Sequence, residues 1–131
     1  MTASGAGVPA PLRILLIEDS KDILFLMKME LESLGYSVLT ARDGESGLDI
    51  AAREHPNLII SDIKMPGIDG LEFIKRLRAV PELSSMPAIA LTGYGSEQDV
   101  AKALAAGYNA HISKPVDPQE LSELIRSLTA G

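Results

Sequence analysis

From Leu12 onward, short apolar runs alternate with amphipathic stretches, and the alternation occurs five times. Leu12–Ile17, Tyr36–Thr40, Asn57–Ser61, Ala88–Leu91 and Ala110–Ser113 are the apolar runs. They are too short for buried helices, and the third is too apolar to face water, so the pattern predicts strands with both faces covered. The stretches between them predict helices with identifiable ends. Lys21–Leu34 has Ser20 as N-cap and Gly35 just past its end. A second helix runs from about Glu45 to Glu54 and is stopped by His55-Pro56. Asp69 caps a third, with Glu72 three residues on in a capping-box-like spacing, and this helix fades near Val80-Pro81. Glu97–Ala106 ends at Gly107, and the last helix starts after Asp117-Pro118 and reaches about Leu128.

Strictly alternating βα units imply an α/β domain with a parallel sheet. Right-handed crossovers make it an open, doubly wound sheet, and five strands suit the flavodoxin-like order 2-1-3-4-5 in a single domain. Residues 1–11 are small residues, Gly and Pro without charge beyond the terminus, which predicts a flexible tail ahead of a domain spanning 12–129. With 46% hydrophobic and 23% charged residues among 131, the chain can bury a core, which excludes disorder throughout.

Charge and composition remove several functions. Twelve Lys+Arg against 18 Asp+Glu leave a formal charge of −6, and the basic residues are scattered, so no nucleic-acid partner is expected. Without cysteine there is no disulfide, thiolate metal site or cysteine nucleophile. No apolar run approaches the roughly 20 residues of a membrane span, and the N-terminus lacks the charged and apolar regions of a signal peptide. No membrane partner and a cytoplasmic location are the expectation.

In doubly wound sheets ligands bind outside the carboxyl ends of the strands, where the strand order reverses. The residues placed there are Glu18 and Asp19 after the first strand, Asp62 after the third, Thr92 after the fourth, and Lys114-Pro115 after the fifth; nothing comparable follows the second. Three crowded carboxylates repel, and burying them unpaired would cost several kcal/mol. A divalent cation resolves the conflict. Mg²⁺ takes one or two carboxylates plus waters and a phosphate oxygen, which suits Glu18, Asp19 and Asp62. Lys114 supplies a charge and Thr92 a hydroxyl for phosphate oxygens. The set suits phosphoryl transfer to a carboxylate, with Asp62, central by strand order, as nucleophile.

Glu18-Asp19, the run from Asp62 to Gly70, Leu91-Thr92-Gly93 and Lys114-Pro115, in this order and spacing, resemble the receiver domain of two-component response regulators. The resemblance covers Leu12 to Leu128. It implies that Asp62 accepts a phosphoryl group from a sensor histidine kinase or phosphotransfer protein, and that Asp19 ligates Mg²⁺ directly while Glu18 acts through water. The Lys64 main-chain carbonyl would complete the protein ligands. Thr92 and Lys114 would bind the phosphoryl oxygens, and Lys114-Pro115 would be a cis peptide. The protein would catalyse only its own phosphorylation and dephosphorylation, so it is not an enzyme with an external product. Switching would be read by a downstream protein at the face of the fourth helix, fifth strand and fifth helix; a phosphorylation-dependent dimer is one form this can take. A chain that opens on Met and ends just after the fifth helix suggests a stand-alone regulator over the receiver of a hybrid kinase.

One departure concerns the switch. The family usually has an aromatic residue three positions before the lysine, where this chain has His111. An imidazole can change charge near neutral pH, which Phe or Tyr cannot. Lys64 and Tyr94, two residues beyond Asp62 and Thr92, would flank the attacking water. Neither is a carboxylate or amide that orients water, which predicts slow hydrolysis. Other polar residues have structural readings: Ser20 and Asp69 as caps, and His55 as a helix stop.

Two other classes fit less well. A haloacid-dehalogenase-type phosphatase places its nucleophile after the first strand and an acid two residues later, where Asp62 is followed at that spacing by Lys64. A flavodoxin needs a Ser/Thr-rich phosphate loop after the first strand, and Glu18-Asp19 there would repel phosphate.

Overall fold

The computed structural model describes residues 11–93 and 96–129. The predicted tail, apart from Pro11, and Tyr94 lie outside the described residues. The elements are β1 (Arg13–Ile17), α1 (Lys21–Ser33), β2 (Ser37–Ala41), α2 (Gly44–Glu54), β3 (Leu58–Asp62), α3 (Gly70–Ala79), β4 (Ala88–Thr92), α4 (Glu97–Ala106), β5 (Ala110–Ser113) and α5 (Pro118–Thr129). A 3₁₀ turn at Pro81–Leu83, not anticipated from the pattern, separates α3 from β4. The five strands are parallel in the order β2-β1-β3-β4-β5, as expected.

Two boundaries differ in a way that matters. Asp62 and Thr92 were expected after their strands, but each is the last residue of one, paired in register with Leu91 and Ser113 respectively. The parallel ladder holds their backbones, so both side chains are fixed by the sheet rather than by a loop. Likewise β2 is shifted one residue, to Ser37–Ala41, because its pairing with β1 runs Arg13–Ser37 through Ile17–Ala41.

Side chains alternate along each strand into two cores. Leu15, Ile17, Ile59, Ala88 and Ala90 face α2, α3 and α4, meeting Ala51, Phe73, Ile74, Leu77 and Ala103. Ile14, Leu16, Leu58, Ile60, Ile89 and Leu91 face α1 and α5, meeting Met27, Leu31, Leu121 and Ile125. Met27 is buried and Met29, two residues on, is exposed, as helical geometry requires.

Caps follow the sequence signals. Ser20 Oγ accepts from the Ile23 N–H at 3.4 Å, and Asp69 Oδ1 from the Glu72 N–H at 2.9 Å. Glu72 does not complete a reciprocal box, because its carboxylate pairs with Arg76 one turn on. His55 ends α2 in the left-handed region at φ +46°, consistent with its structural reading.

Beneath the site, α3 presses on the end of β3. A Cβ on Gly70 would lie 2.5 Å from both the Asp62 carbonyl and Ile63 Cα, and 3.1 Å from the Tyr108 hydroxyl. That hydroxyl donates to the Gly70 carbonyl at 2.8 Å. The two nearest atoms are backbone and cannot swing aside. Gly67, by contrast, has φ +77° and open space around it. Gly70→Ala is therefore expected to cost about 3 kcal/mol, at the upper end of overpacking. Gly67→Ala should cost about 1 kcal/mol, for its left-handed backbone alone. Urea unfolding of both variants checks the order.

Candidate functional site

Convergence at the carboxyl ends of β1, β3, β4 and β5 brings the sequence candidates together. Glu18, Asp62 and Thr92 are buried, with 1%, 5% and 0% of their surface exposed. The Lys114 ammonium reaches across from the loop after β5 to Asp62 Oδ2 at 2.5 Å and Glu18 Oε1 at 3.4 Å. Asp62 Oδ1 accepts the Lys64 N–H at 3.0 Å, and Glu18 Oε2 accepts the Ser20 N–H at 3.0 Å. Glu18, Asp19 and Asp62 each offer a carboxylate oxygen within 4.8 Å of the others. The Lys114–Pro115 bond is cis.

One ammonium faces three carboxylates, and the balance is unfavourable. Glu18 Oε1 is buried and makes no hydrogen bond among the described residues. Burial pushes the Glu18 carboxyl above its ordinary range; the Ser20 N–H and Lys114 oppose this, and neighbouring Asp62 adds to it. Burial pulls against the Lys114 charge, but the Asp62 and Glu18 carboxylates outweigh it and hold the ammonium above its usual pKa. A buried, under-satisfied carboxylate oxygen beside two further carboxylates is a donor set for a hard cation.

Not every candidate is in contact. Thr92 Oγ1 donates to the Ile112 carbonyl at 3.5 Å, not to Asp62. His111 sits half-buried on the edge strand β5 opposite Ala90, its Nδ1 buried without a hydrogen-bond partner among the described residues. Hollows lie on either side of it. One is lined by Ser96, Glu97 and Val100 at α4, the other by Glu120, Glu123 and Leu124 of α5. The Lys64 side chain is 77% exposed and lies 3.5 Å from Asp99 of α4.

Two participants escaped sequence reading. Arg42, just after β2, donates to the Asp19 carbonyl at 3.0 Å and steadies the loop that carries two of the three carboxylates. Asp99 reads in sequence as an ordinary first-turn acid of a helix. Only strand order shows that these two residues, 23 and 35 positions from their partners, are neighbours.

A doubly wound parallel sheet with this acidic cluster, a lysine on the central aspartate and a cis proline after it defines a phosphoacceptor signalling domain. Residues 14–126 match the family model of the response regulator receiver domain. The chain belongs to that family, whose members are signalling domains that accept phosphoryl groups from sensor histidine kinases. It is 41% identical over 117 residues to an uncharacterized 14.6 kDa protein in the sodA1 3′ region of Leptolyngbya boryana, covering 89% of each chain. It is 39% identical to the probable transcriptional regulator ycf27 of Cyanophora paradoxa, of which it spans only 47% while 88% of this chain is covered. Among solved structures, the receiver domain of the sensor histidine kinase PA1611 from Pseudomonas aeruginosa, with magnesium in its active-site cleft, superposes with a TM-score of 0.87 at 30% identity, covering 93% of this chain and all of that one.

The raised Glu18 pKa makes a stability prediction. Ionising this carboxyl costs more in the fold than in the unfolded chain, so the penalty is absent below the ordinary glutamate pKa and grows as pH rises toward the folded value. Glu18→Gln should raise the metal-free Tm at pH 7 by a few degrees, and the gain should vanish near pH 3.5, where the wild-type carboxyl is protonated in both states. Calorimetry at the two pH values, with chelator present, tests this.

Proposed function

We propose that this chain is a phosphorylation-dependent switch in which Asp62 is the phosphoryl acceptor. The observation that carries the reading is the buried Asp62 carboxylate with Lys114 Nζ on one oxygen and the Lys64 N–H on the other, at the end of the central strand. An Asp62 oxygen attacks the phosphorus of a phosphohistidine on a sensor kinase or phosphotransfer protein, the P–N bond breaks, and the imidazole leaves and takes up a proton. The Lys114 ammonium, already at the acceptor, holds a phosphoryl oxygen after transfer. Hydrolysis returns the carboxylate, so the protein acts only on itself.

Glu18 and Asp19, with Asp62 and the Lys64 carbonyl, would hold Mg²⁺, Glu18 through water. When bound, the ion neutralises the excess carboxylate charge and the charge that develops on the phosphoryl oxygens. The under-satisfied Glu18 Oε1 supports this assignment. Lys64 and Tyr94, bulky and unable to orient water, are read as slowing hydrolysis to a half-life of minutes to hours.

Two experiments test the reading. With Mg²⁺ and acetyl phosphate the protein should take up acid-labile label on Asp62, and Asp62→Asn should lose it entirely. Asp19→Asn should bind Mg²⁺ about tenfold more weakly or worse, because it deletes a ligating charge. Label retained by Asp62→Asn overturns the acceptor assignment.

The output reading concerns Thr92 and His111. Drawing the Thr92 hydroxyl to a phosphoryl oxygen would release the Ile112 carbonyl, adjacent to His111 on the edge strand. The face of α4, β5 and α5 then changes shape for a downstream partner or a second copy. Amide shifts on beryllofluoride addition should include residues 110–113 and α4. Shifts confined to the loops around Asp62 would refute the coupling.

A further inference from the structure

The cation two residues beyond Asp62 is not a free charge. Lys64 uses its main chain and its side chain on different partners. Its N–H holds Asp62 Oδ1, while its ammonium lies 3.5 Å from Asp99 Oδ2 in the first turn of α4. That oxygen is shielded from solvent and has no hydrogen bond among the described residues, so the ammonium is its one ionic partner there. The Asp99 carboxyl is held below its usual range, first by the Ser96 side chain and then by Lys64 and Lys102.

The fastening of α4 is lopsided. At its C-terminal end, Arg78 Nε and Nη2 both donate to the Gly107 carbonyl, at 3.0 and 2.9 Å, and Nη2 also reaches Asn109 Oδ1 at 3.0 Å. At its N-terminal end Ser96 makes no side-chain capping bond. The Lys64–Asp99 pair is therefore a side-chain tie between the start of α4 and the loop that leaves Asp62.

We propose that Asp99 is a positioning residue for phosphoryl transfer: it holds the Lys64 ammonium on α4 while Asp62 is unmodified and yields it to the phosphoryl oxygens when Asp62 is phosphorylated. The inference rests on the reading of Asp62 as acceptor. A phosphoryl group brings close to two negative charges, against one on Asp99, and the Lys64 stem is flexible and 77% exposed, free to move from one to the other. The same exchange frees the N-terminal turn of α4 at the moment of phosphorylation. Because coupling is reciprocal, whatever releases Lys64 from Asp99 also favours the phosphorylated state.

A pair whose lysine is 77% exposed is weak, so effects of about two- to fivefold are expected. Initial rates of labelling by acetyl phosphate with Mg²⁺ are measured for wild type, Asp99→Asn, Lys64→Gln and the double variant. Asp99→Asn should speed labelling about two- to fivefold, Asp99→Glu should return it to the wild-type rate, and Asp99→Asn should change nothing in the Lys64→Gln background. A purely structural Asp99 would act equally in both backgrounds, and that result overturns the proposal, as does no effect of Asp99→Asn on Lys64-containing protein. Amide shifts of residues 97–100 on beryllofluoride addition give a second readout: they should shrink in Lys64→Gln, and unchanged shifts count against the tie. Label on Asp62 with an unresponsive cycle defeats this inference alone. Wild-type protein that takes no label, or label that survives Asp62→Asn, defeats the acceptor reading and this inference with it.

Discussion

Carboxylates buried at one edge of a parallel sheet, with a single lysine among them, set the terms for the rest of the molecule. Lys114 contacts both Asp62 and Glu18, yet the cluster keeps a buried Glu18 oxygen without a hydrogen bond among the described residues and a Glu18 pKa raised by burial. Such a group is costly to carry in a fold whose net stability is small. The cost is met by scaffolding: two strand ladders hold the carboxylate-bearing segments, Arg42 holds the Asp19 carbonyl, and backbone N–H groups hold one oxygen each of Glu18 and Asp62. The negative excess suits the site to a hard cation.

Rigidity and freedom are divided between the two ends of the surrounding elements. Asp62 and Thr92 are the final residues of central strands, with cores packed on both faces behind them. Gly70 lets α3 close directly on the end of β3, Tyr108 ties that same near end of α3 to the segment entering β5, and Arg78 locks the far ends of α3 and α4 together. By contrast Thr92 Oγ1 sits at a long 3.5 Å from its acceptor, and Lys64 holds α4 through an exposed contact of the same length. The contacts of Thr92 and of the Lys64 side chain are thus the weak ones beside the short Lys114–Asp62 pair. A switch needs this arrangement, since a ligand shifts a conformational balance only by what it adds to contacts that differ between the two states.

The lengths of the relatives bear on how the unit is used. The same domain accounts for about nine-tenths of one relative and under half of another, a probable transcriptional regulator. The receiver fold is therefore a module carried by chains of different lengths. In this chain the edge strand β5 carries an imidazole between acidic α4 and α5 residues.

The sequence by itself determined the fold class, the strand order, most helix caps and the membership of the carboxylate and lysine set. Periodicity of apolar residues and capping chemistry are local properties, and a doubly wound sheet forces residues after its strands to one edge. It could not determine where strands stop: Asp62 and Thr92 belong to the ladder because neighbouring strands extend far enough to pair with them, and β2 shifts to match β1. Nor could it say which partner each polar group takes. Glu72 turns to Arg76 and not back to its cap, Thr92 to Ile112, Arg42 to the Asp19 carbonyl and Lys64 to Asp99. All but the first of these pairings join residues distant in sequence, and each depends on distances of a few ångströms that only the packed helices and the order of the strands create.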